Sequence, residues 1–165
     1  GAAREAGPMP PVKPGRHTAN IEGDFVVFII GMRFNKPWLV ARWWPVFTAM
    51  PKMLTYLESH PDKGLLGSNL SVSGLTLRLT QYWRSFDHLE AFAKDTADPH
   101  LEAWRRYNQE IAASGDVGVF HETFKVTAGS YEAVYANMPV TGLAAAAAHA
   151  PLGSTSRART RIAAD

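Results

Sequence analysis

Two periods of hydrophobic and polar residues alternate along the chain and mark its elements. From Asp24 to Phe34 ("DFVVFIIGMRF") both alternation sets are apolar: Phe25, Val27 and Ile29 on one side, Val26, Phe28 and Ile30 on the other. A strand with that pattern has protein against both faces. Gly31 falls where a bulge or a close backbone approach is expected. After a loop, "NKPWLVAR", the residues Trp43, Phe47, Met50, Leu54 and Leu57 recur at helical spacing through "WWPVFTAMPKMLTYLESH", which predicts an amphipathic helix. Pro45 suits its first turn. Pro51 predicts a kink or a restart, because proline removes a backbone donor and crowds the preceding turn.

Two shorter strands follow, "LLGSNLSV" and "LTLRLTQYW", joined by a tight turn at Ser73–Gly74. In the second, Leu75, Leu77 and Leu79 share one face, and Thr76, Arg78, Thr80 and Tyr82 the other. Ser85 caps a helix over "FDHLEAFAKD", and Asp98–Pro99 opens a second piece that Gly115 stops. The stretch "VGVFHETFKV" (Val117–Val126) reads as the last and central strand, with the neighbours His121 and Glu122 pointing to opposite sides. In "YEAVYANMP", Tyr131 and Tyr135 lie four apart, which predicts a short helical turn clasping a partner subunit.

This β-α-β-β-α-β order predicts an α+β, ferredoxin-like fold: one four-stranded antiparallel sheet with its helices on a single face. Those helices leave the second apolar face of the first strand uncovered. A partner sheet is the simplest cover, so a homodimer is expected. Residues 1–22 hold four of the eleven prolines and no hydrophobic period, and are expected to form a flexible N-terminal arm. Residues 23–140 are expected to be the domain, and 141–165 a C-terminal tail.

Composition narrows the chemistry. The chain has no cysteine, which excludes thiolate catalysis and suits a reducing, cytoplasmic setting. Its longest apolar run, "FVVFIIGM", is far too short to span a bilayer, so no membrane partner is expected. Basic residues are scattered, apart from "RARTR" at Arg157–Arg161, and nothing marks a nucleic-acid binder. No pair of histidines has metal-site spacing, and no glycine-rich loop precedes a helix to hold phosphate. Neither a metal nor a nucleotide cofactor is expected.

Between about Asp24 and Pro139 the words "GMRFNKPW", "QYWRSFDHLEAFAKD", "HLEAWRRYN", "GVFHETF" and "YEAVYANMP" occur in order. Together they resemble the DUF4188 family, whose members are named monooxygenases by similarity to an antibiotic-biosynthesis-type monooxygenase of the fumagillin pathway. The resemblance implies a dimeric α+β barrel, with two ferredoxin-like sheets facing one another and a cavity in each protomer between sheet and helices. The same fold hosts cofactor-free oxygenases, haem enzymes such as aldoxime dehydratases, and stress-response proteins, so fold alone does not choose among them.

His121 is the first candidate for chemistry. Strand histidines are often held by one structural hydrogen bond. Pointed into a cavity, an imidazole is a base near neutral pH, or a ligand to haem iron. Glu122 is expected on the opposite face, paired with an arginine such as Arg105 or Arg106 rather than lying at a strand edge in water, since a buried lone carboxylate is costly. Arg33 and Asn35 can supply oriented donors to an enolate or phenolate, while Trp38, Trp44 and Phe47 can wall a flat substrate. Trp43 belongs to the helical stripe and reads as core. Arg78 and Tyr82 are expected to line the cavity or the dimer interface. The leading expectation is a small monooxygenase-like enzyme oxidising a hydrophobic metabolite with no metal or flavin. One alternative is a haem b enzyme with His121 as proximal ligand. Another is a non-catalytic small-molecule-binding or stress-response dimer.

Overall fold

The structure is a computed structural model describing residues 9–95, 97, 99–153 and 162. In chain order its elements are β1 (Lys13–Asn20), β2 (Phe25–Phe34), α1 (Val40–Glu58), β3 (Leu65–Ser73), β4 (Thr76–Trp83), α2 (Phe86–Lys94), α3 (Pro99–Glu110), β5 (Val117–Val126), β6 (Tyr135–Met138), α4 (Gly142–Ala146) and β7 (Ala148–Pro151). From β2 to β5 the order is the ferredoxin-like one. The antiparallel sheet runs β3-β4-β2-β5, with Ile30 of β2 opposite Leu79 on one side and His121 on the other. β2 therefore lies inside the sheet, which explains its two apolar faces. β5, expected to be central, is an edge strand.

Helices α1 and α2 cover one face. Val26, Leu79 and Trp83 pack there against Met53, Leu57, Leu89 and Phe92, each side chain worth about 1.5–3 kcal/mol when fully buried. The fully buried Trp83 donates its indole N–H to the Oε1 of buried Gln81 at 3.0 Å. A second cluster holds Met32, Ile111 and Val117 at the other end. α1 does not restart at Pro51, which sits inside a continuous helix with Pro45. Its apolar stripe is anchored on both sides of the proline, and that packing offsets the lost backbone bond. Ser85 caps α2 as expected, accepting the His88 N–H at 3.2 Å. The Asp98 cap expected for the next helix lies outside the described residues.

A second sheet changes the picture of the termini. Lys13–Asn20, expected within a flexible arm, is strand β1, and it pairs with β6 on one side and β7 on the other. Pro14 is tolerated because the β1–β6 register breaks between Lys13 and Arg16, and prolines in sheets sit at such irregularities. The Gly15 N–H is taken instead by the Asn137 side chain at 2.9 Å. The expected helical turn around Tyr131 and Tyr135 is absent. Tyr135–Met138 is strand β6, because β1 offers it backbone partners that a helical turn would leave unused. Residues 142–151, expected as tail, form α4 and β7. The cluster "RARTR" lies outside the described residues.

This small sheet and α4 cover one end of the face of the main sheet turned away from α1–α3. Ala19, Phe25, Leu143 and Ala144 are buried together there, ringed by Val27, Tyr82, Tyr131 and Tyr135. The chain itself thus supplies part of the cover that was expected from a partner. Beside this cluster on the edge strand, Phe124, opposite Val27, remains 51% exposed. Gly31 makes no bulge and marks a close approach: a Cβ there would lie 2.2 Å from the Phe120 ring. Among the described residues no helix is long and apolar enough to cross a membrane.

Candidate active site

The three long helices do not close completely on the sheet, and a cavity of about 410 Å³ remains. That is room for about a dozen waters at roughly 30 Å³ each, within the size range of small-molecule sites. Strand alternation builds its floor. Phe28, Ile30 and Met32 on β2 and Val119, His121 and Thr123 on β5 share one face. Helical spacing builds its walls. Val46, Ala49, Met50 and Met53 come from α1, and Phe86, Leu89, Glu90 and Ala93 from α2, each set at i, i+3, i+4 and i+7. α3 adds Leu101, Trp104 and Tyr107.

Few polar groups reach this space. The Tyr107 hydroxyl donates to the Val117 carbonyl at 2.9 Å, and burial pushes its pKa above the usual tyrosine value; it is committed to structure. Glu90, at the cavity wall, pairs with the exposed Lys94 at 2.9 Å. His121 differs. Its ring centroid lies 5.7 Å from that of Phe28, and it makes no hydrogen bond or ion pair among the described residues. The floor therefore carries a solvent-exposed imidazole beside apolar surface, with Thr123, also exposed, two residues farther along the same strand face. Such a group can accept a proton from a bound molecule and return it.

Of the residues expected at the site, His121 alone lines this cavity. Arg33 donates to the Asn35 side-chain oxygen, and Asn35 donates to the Gly115 carbonyl at 3.0 Å. Beside them Asp116, 5% exposed, pairs with Lys36 at 2.8 Å and lies 3.7 Å from Arg42. The Lys36 hydrogen bond first, then burial opposing it and a Ser114 hydrogen bond reinforcing it, leave the Asp116 carboxyl below its usual pKa. These groups tie the loop after β2 to the start of β5. Trp38 lies in the loop before α1 and is 71% exposed, while Trp44 is 53% exposed because α1 turns a different stripe toward the cavity. Phe47 packs instead into the Met32 cluster. Trp43 is core, as expected, with its N–H on the Pro37 carbonyl at 2.9 Å.

Arg78 lies on the opposite face of the sheet, 5.8 Å over the Phe120 ring. Tyr82 packs in the small-sheet cluster, where burial, then Tyr135, raises its pKa. Glu122 does point away from His121, but it is exposed and has no ion pair among the described residues. Its expected partner Arg106 binds Glu110 at 3.1 Å. Placing β5 at the edge leaves Glu122 in water, where a carboxylate needs no partner. Sequence reading missed Trp104, Tyr107, Phe86 and the methionines. The i, i+3 spacing of Leu101 and Trp104 was the available signal.

The family model described as Monooxygenase af470-like matches residues 25–143. Monooxygenase af470 of Aspergillus fumigatus is 33% identical, the match covering 77% of this chain and 48% of that protein; the chain thus spans about half the length of the curated relative it matches. Among solved structures, an aldoxime dehydratase (OxdRE) in complex with butyraldoxime superimposes with a TM-score of 0.61 at 16% identity, over 84% of this chain and 44% of that chain. At that identity the likeness is one of fold. A protein of Caulobacter crescentus CB15, described as an antibiotic biosynthesis monooxygenase, aligns at 12% identity and a TM-score of 0.42, over 61% of this chain and 89% of that chain.

Proposed function

The chain belongs to the monooxygenase af470-like family, and we propose that it oxidises a hydrophobic small molecule in the cavity under α1–α3, using molecular oxygen and needing no metal or flavin. The observation that carries this reading is an apolar cavity whose floor holds one solvent-exposed imidazole, His121, beside Phe28 and with no hydrogen bond or ion pair among the described residues. The substrate class is a molecule with an acidic CH₂ beside a carbonyl or aromatic ring. His121 takes one of its protons. The carbanion passes an electron to oxygen, the two radicals join in a C–O bond, and the resulting hydroperoxide loses water as its O–O bond breaks. In balance, CH₂ and O₂ become C=O and H₂O, so the substrate supplies every electron. His121 and Thr123 are exposed, so the bound substrate itself covers the imidazole, and the apolar walls flank the carbanion beside its counter-charge.

Haem is the rival within this fold. His121 offers an axial ligand, but among the described residues no lysine or arginine lines the cavity to hold two propionates, and its one carboxylate, Glu90, is already paired with Lys94. The lining fits haem poorly, and no step is routed through it. For the assembly, the exposed Phe124 on edge strand β5, beside the small-sheet cluster, supports a second copy docking there, and a strict monomer by light scattering at micromolar concentration contradicts that.

The test is an oxygen electrode with purified protein, no added cofactor, and the anthrone dithranol as probe. Accelerated uptake of one O₂ per dithranol, from a protein without a Soret band, supports the reading. Uptake no faster than in buffer overturns it in favour of a binding protein, and a Soret band overturns its cofactor-free part.

A further inference from the structure

We infer that Trp104 makes the cavity select flat, π-rich molecules over aliphatic ones of equal size. This rests on the cavity being the binding site. Three of its lining residues, Met32, Met50 and Met53, have unbranched, adaptable side chains that fit many shapes and so discriminate little. Shape selection has to come from something fixed.

The fixed element is on α3. Trp104 and Tyr107 stack with ring centroids 5.6 Å apart and an interplanar angle of 22°. Tyr107 is locked at its far end by the hydroxyl bond to the Val117 carbonyl. Its backbone carbonyl also accepts the Ile111 N–H at 2.9 Å, where α3 ends. The tyrosine thus sets the tilt of the indole, which lines the cavity while 45% of its surface stays exposed. A held, partly open indole is a platform on which a planar ligand extends an existing stack. An alkyl chain gains only apolar contact from it. Phe86, 40% exposed in the lining, has the Lys125 ammonium 5.5 Å over it and is the weaker candidate.

Binding of 2-naphthol and 1-decanol, matched in heavy-atom count, tests this by titration calorimetry on wild-type protein and the W104F and W104L variants. Aromatic stacking corresponds to about a 2–12-fold change in affinity. W104L is expected to weaken 2-naphthol by about that factor and 1-decanol by less than twofold, with W104F close to wild type. Equal loss of both probes, or loss of neither, overturns the inference while the cavity reading stands. If W104L fails to fold, W104M, which also lacks a π-face, takes its place with the same expected and overturning outcomes. If the wild type binds neither probe, the cavity reading falls first and the inference with it.

Discussion

Replacing Gly31 with alanine adds one methyl where β2 has no room for it. The new Cβ would lie 2.2 and 2.6 Å from two carbons of the Phe120 ring and 3.0 Å from the Leu77 carbonyl oxygen. Ordinary contact begins near 3.4 Å, so the ring has to move by about an ångström or the strands have to part. Overpacking of this kind costs about 1–3 kcal/mol. Relief of the glycine's unfolded-state entropy returns roughly 0.5–1 kcal/mol, leaving a net loss within about 0–2.5 kcal/mol, about 1–2 kcal/mol in mid-range. For a chain of this size that lowers Tm by about 2–8 °C. Urea unfolding should show a lower midpoint at unchanged slope. The cause is isolated by a cycle with F120L: in that background G31A should cost close to nothing, a coupling of about 1 kcal/mol or more. Because Phe120 and His121 point to opposite faces, 2-naphthol affinity should stay within twofold. An equal cost in both backgrounds, or none in either, refutes the close-approach argument.

Three further outcomes follow from the electrostatics and caps. Asp116, with its carboxyl pKa below the usual 3.8, binds fewer protons folded than unfolded, so its contribution is present above pH 3.8 and is lost as pH falls through the folded value. D116N should lower Tm at neutral pH and flatten the acid limb, and parallel Tm–pH curves for the two proteins would contradict this. His149 stacks on His17 at 4.3 Å with its Nε2 buried and unpartnered among the described residues. Burial first, then the charges of His17 and Lys13, lower its pKa from 6.5. The unfolded chain then binds the extra proton below pH 6.5, stability falls there, and hydrogen exchange of Ala148–Pro151 should quicken in wild type but not in H149F. S85A removes the α2 cap and should cost about 0.5–2 kcal/mol in a thermal melt; an unshifted Tm contradicts the cap.

Local signals carried most of the ferredoxin-like core. The two-sided apolar run of β2, the alternation of β4, the Ser85 cap and the Gly115 stop each rest on neighbours within a turn or a strand. The small sheet was illegible for the opposite reason. β1, β6 and β7 are short, and the Gly15–Asn137 contact joins positions 122 residues apart, so no window of sequence contains both partners. At the site, alternation alone sent His121 and Glu122 to opposite faces. It could not say which helical stripe would face His121. Trp38 and Trp44 follow β2 closely in sequence, yet the roll of α1 turns Val46, Ala49, Met50 and Met53 inward instead. Arg33 and Asn35 have the donors of an anion site but spend them on each other and on Gly115.

The central claim is that His121 moves a proton for a molecule held in this cavity. The most direct measurement compares turnover of dithranol with binding of 2-naphthol in wild type and H121A. The account predicts that kcat falls by about 10²–10⁴-fold, the usual contribution of a general base, while the 2-naphthol Kd changes by less than about threefold. An H121A protein that consumes oxygen as fast as wild type would contradict it.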